Sequence, residues 1–309
     1  MELPLNTGAP ASSRPFGGEA DLELMRNFLS RAASVSPPQY YSHPGDVLWL
    51  LYRDPAYDPR TQVRLWEDSE GELIGFAWLE EPDGVVMQVR PDLRGHGPVE
   101  EAMLGWAAER LANSGRNPDG ELWTRAISED AKLEALLVRM GFRRDPDHAL
   151  KMHQGLDAAI PEPDLPQGWT VRPVDGEKEV EKRIEIHHAV WPASHMTPEA
   201  YGNLRKAAGY MPSLDLVAAG PDSVFGAYCL CWHDPVSRTG LFEPLGTSPA
   251  HRWLGLGRAV MIEGLRRLRA LGSETVLVTA FSGNRAAVGL YESVGFRTVG
   301  REHLYGKKL

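Results

Sequence analysis

Three segments of the chain recur in the same order about 150 to 160 residues later, and this constrains the fold more than any other feature. Leu73-Ile74-Gly75-Phe76-Ala77-Trp78-Leu79 returns as Val224-Phe225-Gly226-Ala227-Tyr228-Cys229-Leu230. Val89-Arg90-Pro91-Asp92-Leu93-Arg94-Gly95-His96-Gly97 returns as Thr247-Ser248-Pro249-Ala250-His251-Arg252-Trp253-Leu254-Gly255. Leu136-Leu137-Val138-Arg139-Met140-Gly141-Phe142 returns as Leu290-Tyr291-Glu292-Ser293-Val294-Gly295-Phe296. Three matches in one order point to duplication of a single structural unit. A length of 309 residues suits two such units. We expect one over residues 1–157, a stiff proline-rich connector over 158–167 (Pro161, Pro163 and Pro166), and a second over 168–309.

Periodicity in the second unit alternates strands and helices. Short strands are expected at Trp169–Pro173, Leu214–Ala219, Ser223–Trp232, Gly240–Thr247 and Thr275–Thr279, with Phe296–Val299 and His303–Leu309 closing the sheet. Helices are expected at Glu179–Val190, after the Thr197 cap, at Leu256–Leu271 and at Arg285–Val294. The fold class is therefore α/β of the mixed α+β kind: a hairpin meander followed by a β-α-β-α-β ending.

Composition excludes several function classes. No apolar run reaches the roughly 18 residues of a membrane span. The N-terminal stretch lacks a basic region followed by an apolar core, so no signal peptide is expected. Cys229 and Cys231 fall on one face of a strand with no second pair to complete a metal site, and read as buried small hydrophobes in a reducing cytoplasm. His187 and His188 are adjacent on a helix and diverge, so no metal is expected there either. The net charge is −9; residues 1–155 hold 25 acids against 16 bases, and the remainder holds 17 of each. That distribution argues against nucleic acid and suits a neutral or cationic small molecule.

The stretch Leu245-Gly246-Thr247-Ser248-Pro249-Ala250-His251-Arg252-Trp253-Leu254-Gly255-Leu256-Gly257-Arg258 runs from a strand through a loop into a long helix. The first N–H groups of a helix lack internal acceptors and, with the helix dipole, attract anions. Glycines permit close approach of a bulky diphosphate, and Arg252 and Arg258 add positive charge. Alone this pattern is also that of a plain strand–helix loop. It is not a dinucleotide fingerprint, because the third glycine position is Val260.

Asn284-x-x-Ala287-x-x-Leu290-Tyr291-x-x-x-Gly295-Phe296 begins 27 residues after Gly257. The combination of R-x-x-G-x-G with N-x-x-A-x-x-L-Y-x-x-x-G-F at this distance resembles the GNAT superfamily of acyl-CoA N-acyltransferases. The resemblance implies two tandem GNAT-like domains, each a central mixed, mostly antiparallel sheet flanked by helices. It implies acetyl-CoA as co-substrate and no metal. The backbone of Trp253, Leu254, Gly255, Leu256, Gly257 and Arg258 would hold the pyrophosphate, beside Arg252. Leu245 and Thr247 would pair with the pantetheine amides, Asn284 would touch the pantetheine arm, and Tyr291 would lie near the thioester sulfur.

The chemistry agrees with that division. Amine attack on a thioester creates an oxyanion, which a backbone N–H such as that of Leu245 can stabilise. The leaving thiolate needs a proton, and a phenol stays protonated at neutral pH. The ammonium form of the acceptor needs a base, for which Glu243 is the first candidate and His233 and Glu292 are others. In the first unit Leu137 replaces the tyrosine, Asp130 the asparagine and Val99 the glycine, and Pro98 has no N–H. Chemistry is therefore expected in the second unit alone, a plan that resembles bacterial tandem GNAT proteins. The expected reaction is acetyl transfer to a primary amine of a small molecule. An acyl-CoA sensor and a peptide N-acetyltransferase are the rival readings. Acceptor residues are expected within Glu179–Tyr210 and the His233–Thr239 turn, in a monomer or homodimer.

Overall fold

The computed structural model describes residues 10–80, 82–113 and 120–309; the start of the stretch in which no signal peptide is expected, residues 1–9, lies outside them. The first repeat comprises β1 (Ser12–Pro15), α1 (Glu19–Val35), α2 (Pro44–Tyr52), α3 (Pro59–Gln62), β2 (Val63–Glu67), β3 (Leu73–Glu80), β4 (Gly84–Val89), α4 (Pro98–Ala112), β5 (Glu121–Ile127), α5 (Ala131–Arg139) and β6 (Arg143–Gly155). The second comprises β7 (Thr170–Pro173), α6 (Val180–Val190), α7 (Pro198–Leu204), β8 (Asp215–Ala219), β9 (Phe225–Asp234), β10 (Thr239–Thr247), α8 (Leu256–Ala270), β11 (Thr275–Phe281), α9 (Arg285–Val294) and β12 (Arg297–Lys308). The two strings have the same element order apart from α3.

The described strands form one twelve-stranded sheet in the order β1-β2-β3-β4-β5-β12-β6-β11-β10-β9-β8-β7. Exchanging the two repeats reverses this order without changing it, so the sheet has an approximate twofold at its centre. There each repeat lends its last strand to the other. β6 pairs antiparallel with β11, from Ala149 opposite Phe281 to Gly155 opposite Thr275. β12 pairs antiparallel with β5, from Glu302 opposite Ile127 to Lys308 opposite Glu121. β6 and β12 also pair with each other. Where sequence suggests two closing strands, at 296–299 and 303–309, there is one long strand whose register shifts twice against β6; the irregularities absorb the break in alternation.

A second bond between the repeats is apolar. Met25, Leu29, Leu48, Trp49, Leu65 and Phe76 of the first repeat share a buried cluster with Ile184, Met196, Tyr201, Leu204, Leu230 and Trp232 of the second. Full burial of each such side chain stabilises by about 1.5–3 kcal/mol. α2 approaches β9 so closely that a Cβ on Gly45 would run into the Trp232 ring. Cys229 and Cys231 are fully buried and free, with Sγ atoms 3.6 Å apart on the same face of β9. No helix among the described residues is long and apolar enough to cross a membrane.

Candidate active site

β10 and β11 run parallel and pair only from Thr239–Thr275 to Leu241–Leu277 among the described residues. Beyond Leu241, β10 bulges: Phe242 faces Cys231 but Leu245 faces Cys229, so three steps on β10 match two on β9. The extra residue lies at Glu243-Pro244, and the strand edge from Leu245 to Thr247 leaves the β11 side. A bulge there reorients side chains and backbone N–H groups at a strand end. The Glu243 carbonyl accepts a hydrogen bond from the Trp232 indole N–H at 2.6 Å, which ties the bulge to the ring on which α2 rests.

The strand then enters the loop ahead of α8. Gly255 caps α8 in the left-handed conformation, with φ 77°. Trp253, Leu254 and Gly255 are exposed, and Gly257 is buried. A Cβ on Gly257 would lie 2.7 Å from Thr247 Oγ1 and 3.3 Å from Leu290, so glycine is required by the close passage of α8 over β10 and α9. Arg252 and Arg258 flank the loop, and among the described residues neither has an ion-pair partner. Trp253 also adopts a left-handed backbone, φ 68°, which costs a residue with a side chain roughly 1–2 kcal/mol.

The first repeat builds the same loop and fills it from within. The Glu100 carboxylate accepts from the Gly95 N–H at 2.5 Å and the Gly97 N–H at 3.3 Å, and Glu100 is 1% exposed. Arg94 is committed to Asp130 at 2.5 Å. Pro98 lacks a donor altogether. Glu100 aligns with Arg258, so the position that carries positive charge in one repeat carries an internal carboxylate in the other.

Asn284 caps α9, its Oδ1 accepting from the Ala287 N–H at 3.1 Å, and lines a cleft of about 720 Å³ with Phe281, His148, Trp123, Arg125 and Glu80. Two turns further along α9, Tyr291 is 8% exposed and packs on Phe296 at 6.1 Å between centroids. Among the described residues its hydroxyl has no hydrogen-bond partner. Burial first, then the charges of Glu243 and Cys229, hold the phenol above its ordinary pKa. It stays protonated at neutral pH and keeps a donor free.

Glu243 is half-buried and lines a second cleft, of about 550 Å³. The first repeat contributes Trp49, Arg53, Asp54, Tyr57, Gln62 and Glu80 to its walls; the second contributes His187, Trp191 to His195, and Pro244. Burial and then Asp46 push the Glu243 carboxyl up to about 7, against the opposing pull of Arg53 and Lys151. Asp46 is itself pushed up to about 6 by burial, although the His43 N–H donates to it at 2.7 Å. A carboxyl near 7 exchanges a proton readily at neutral pH. The surroundings are an ionic group shared by the exchanged strands: Glu80 pairs with Arg125, and Lys151 with Glu302 at 3.1 Å. Burial raises Glu302, but Lys151 and Arg125 outweigh it and hold the group below its usual range.

The cleft wall at 191–197 is pinned by three histidines. His187 bridges the Tyr228 hydroxyl at 2.7 Å and the Ser194 hydroxyl at 2.8 Å. Burial, followed by Arg183, presses its pKa down to about 3, so the ring is neutral. His188 reaches the Met196 carbonyl at 2.8 Å, and His195 crosses to Asp54 of the first repeat at 2.9 Å. Beneath them Arg183 and Asp215 form a buried ion pair at 3.1 Å, with the Tyr201 hydroxyl donating to Asp215 at 2.6 Å.

Of the residues singled out from sequence, Glu243 lies in the inter-repeat cleft and within electrostatic range of Tyr291, while Arg252–Arg258 and Asn284 follow the C-terminal ends of β10 and β11, one on each side of the opening between the strands. His233 is elsewhere, bonded to Ser273 at 2.8 Å. Glu292 is exposed on α9. Of the expected acceptor segments, His187 and residues 191–195 do line the cleft; the His233–Thr239 turn instead packs by α1, where Ser30 donates to Asp234 at 3.0 Å. The contributions of Trp49, Arg53, Asp54 and Glu80 had no signal in sequence beyond the acidic skew of the first 155 residues.

Residues 181–296 match the model of the Acetyltransferase (GNAT) family. This match lies within the second repeat and supports an N-acetyltransferase of the GNAT type there. The "Mycothiol acetyltransferase" of Streptomyces coelicolor is 29% identical over 270 residues, covering 83% of this chain and 82% of that protein. That of Streptomyces scabiei is 28% identical over 97% of both chains. Among solved structures, a GCN5-related N-acetyltransferase from Sphaerobacter thermophilus covers 97% of this chain and 96% of its own, at TM-score 0.65 and 19% identity. A tandem GNAT protein from the clavulanic acid biosynthesis pathway covers 96% and 98%, at TM-score 0.68 and 15% identity. Both show the same fold.

Proposed function

We propose that this protein transfers the acetyl group of acetyl-CoA to a primary amine of a small molecule, with the donor on the second repeat and the acceptor in the cleft between the repeats. One observation carries the reading: the half-buried Glu243, with its pKa pushed up to about 7, stands at the bulge between an open anion loop and that cleft. The diphosphate lies on the free N–H groups at the start of α8, beside Arg252 and Arg258. The pantetheine arm runs along Leu245 and Thr247, with Asn284 across from it.

Glu243 takes a proton from the acceptor ammonium. The neutral amine attacks the thioester carbonyl, and the Leu245 N–H stabilises the oxyanion. The carbon–sulfur bond then breaks, the thiolate takes the Tyr291 proton, the nitrogen gives up its remaining extra proton to solvent to leave the neutral amide, and exchange with solvent returns Tyr291 and Glu243 to their starting states. The first repeat provides walls and charge and holds no donor, because Glu100 occupies its loop. Among the residues that line the cleft, Asp54, Glu80 and Glu243 outnumber Arg53, which favours a cationic acceptor. The acceptor of the mycothiol acetyltransferases is the first to try.

The test is a panel of small amines, that acceptor included, screened for acetyl-CoA-dependent release of free thiol by the full chain. Turnover with one or more amines is expected. No thiol release with any amine, despite binding of acetyl-CoA, would favour a sensor instead.

A further inference from the structure

Trp253 is the most exposed of the large apolar side chains, at 96%. It occupies a position where the backbone does not welcome a side chain, with φ 68°. The equivalent residue of the first repeat is Gly95, with φ 74°. The same turn thus demands a left-handed residue in both repeats. The first uses the residue suited to it; the second carries the largest side chain there and buries none of it. Folding gains nothing in return, since among the described residues the indole has no ring contact and its N–H no acceptor. A strained residue that does not repay its strain within the chain is a mark of ligand contact.

The ring stands three residues before α8, next to Arg252 and on the solvent side of the diphosphate loop. The part of a coenzyme A molecule that projects from the diphosphate towards solvent is its adenosine. Adenine offers a flat π-face, and an indole is a large stacking partner for it. Gly95, by contrast, lies hard against α5: a Cβ on it would meet Lys132 and Leu133. The closed loop therefore has neither room for a nucleotide nor a ring to receive one.

We propose that the Trp253 indole is the platform on which the adenine of the donor nucleotide stacks, so that donor affinity is set partly at the end farthest from the thioester. The proposal rests on the reading that the second loop holds acetyl-CoA. Trp253 is a binding residue here, with no part in the chemistry.

The test compares binding of coenzyme A and of 4′-phosphopantetheine, which lacks the adenylate, by calorimetry on the full-length protein and on its Trp253→Ala, Trp253→Phe and Trp253→Gly variants. The wild type should favour coenzyme A. Trp253→Ala should cut that preference roughly 5- to 150-fold, the range of base–aromatic stacking, and Trp253→Phe should recover part of it. Trp253→Gly should melt at the wild-type temperature or above, which separates lost stacking from lost folding. An alanine variant that keeps the full preference overturns the stacking role and leaves the donor-loop reading intact. A wild-type protein that binds neither compound overturns the donor-loop reading itself.

Discussion

Glu100 and Arg258 occupy one position in two copies of one loop, and the carboxylate folds back onto its own backbone N–H groups. A buried carboxylate that accepts two N–H bonds satisfies the donors a diphosphate would need and repels the diphosphate's charge. Calorimetric titration should therefore show one coenzyme A per chain. Gly257→Val should remove it, since a side chain there would meet Thr247 and Leu290. A stoichiometry of two would show that Glu100 yields its place.

Tyr291 offers a hydroxyl without a partner among the described residues on a well-packed ring. Replacing it with phenylalanine keeps the packing and removes the proton donor. With a good amine acceptor, kcat should drop about 10²- to 10⁴-fold, the usual worth of a positioned acid, while KM for acetyl-CoA and the melting temperature stay close to wild type. Undiminished turnover would remove Tyr291 from the mechanism.

The loop proposed to hold the donor was legible in sequence because its determinants are local. A glycine ahead of a helix, an arginine within the loop and an N-capping asparagine are fixed by neighbours a few residues away, and Gly255, Arg258 and Asn284 stand where spacing put them. The cleft proposed for the acceptor was not, because Trp49, Arg53 and Glu80 come to line one cleft with Glu243 only once the two repeats pack together. Strand exchange leaves no local trace: an alternating strand has the same pattern whichever neighbour it pairs with. Glu100 was also missed, since an acid in the first turn of α4 reads as ordinary support for the helix dipole.

The base hypothesis makes a pH prediction. Glu243 must be ionised to accept a proton, and its pKa is pushed up to about 7. The rate should fall with unit slope as pH drops through about 7, and Glu243→Gln should lose that limb together with most of the activity. Asp46 is the leading charged cause of the elevation. Asp46→Asn removes the charge while its remaining side-chain oxygen can still accept from the His43 N–H, so the limb should move to lower pH with kcat at high pH retained. A limb that does not move would assign it to another group.

The same elevated pKa carries a cost in stability. In the unfolded chain Glu243 titrates near its ordinary value of about 4.3. Between that value and about 7 the folded protein binds a proton that the unfolded chain has released, so this residue's contribution falls as pH rises and is fully adverse above 7. Glutamine stays neutral throughout. Glu243→Gln should thus unfold like the wild type near pH 4 and exceed it progressively towards pH 8, by about 1–3 kcal/mol after allowance for partial exposure. Urea titrations at several pH values would check this. A difference that stays constant with pH would mean that Glu243 ionises in the fold as it does in water, and would withdraw the argument for it as a base poised near neutrality.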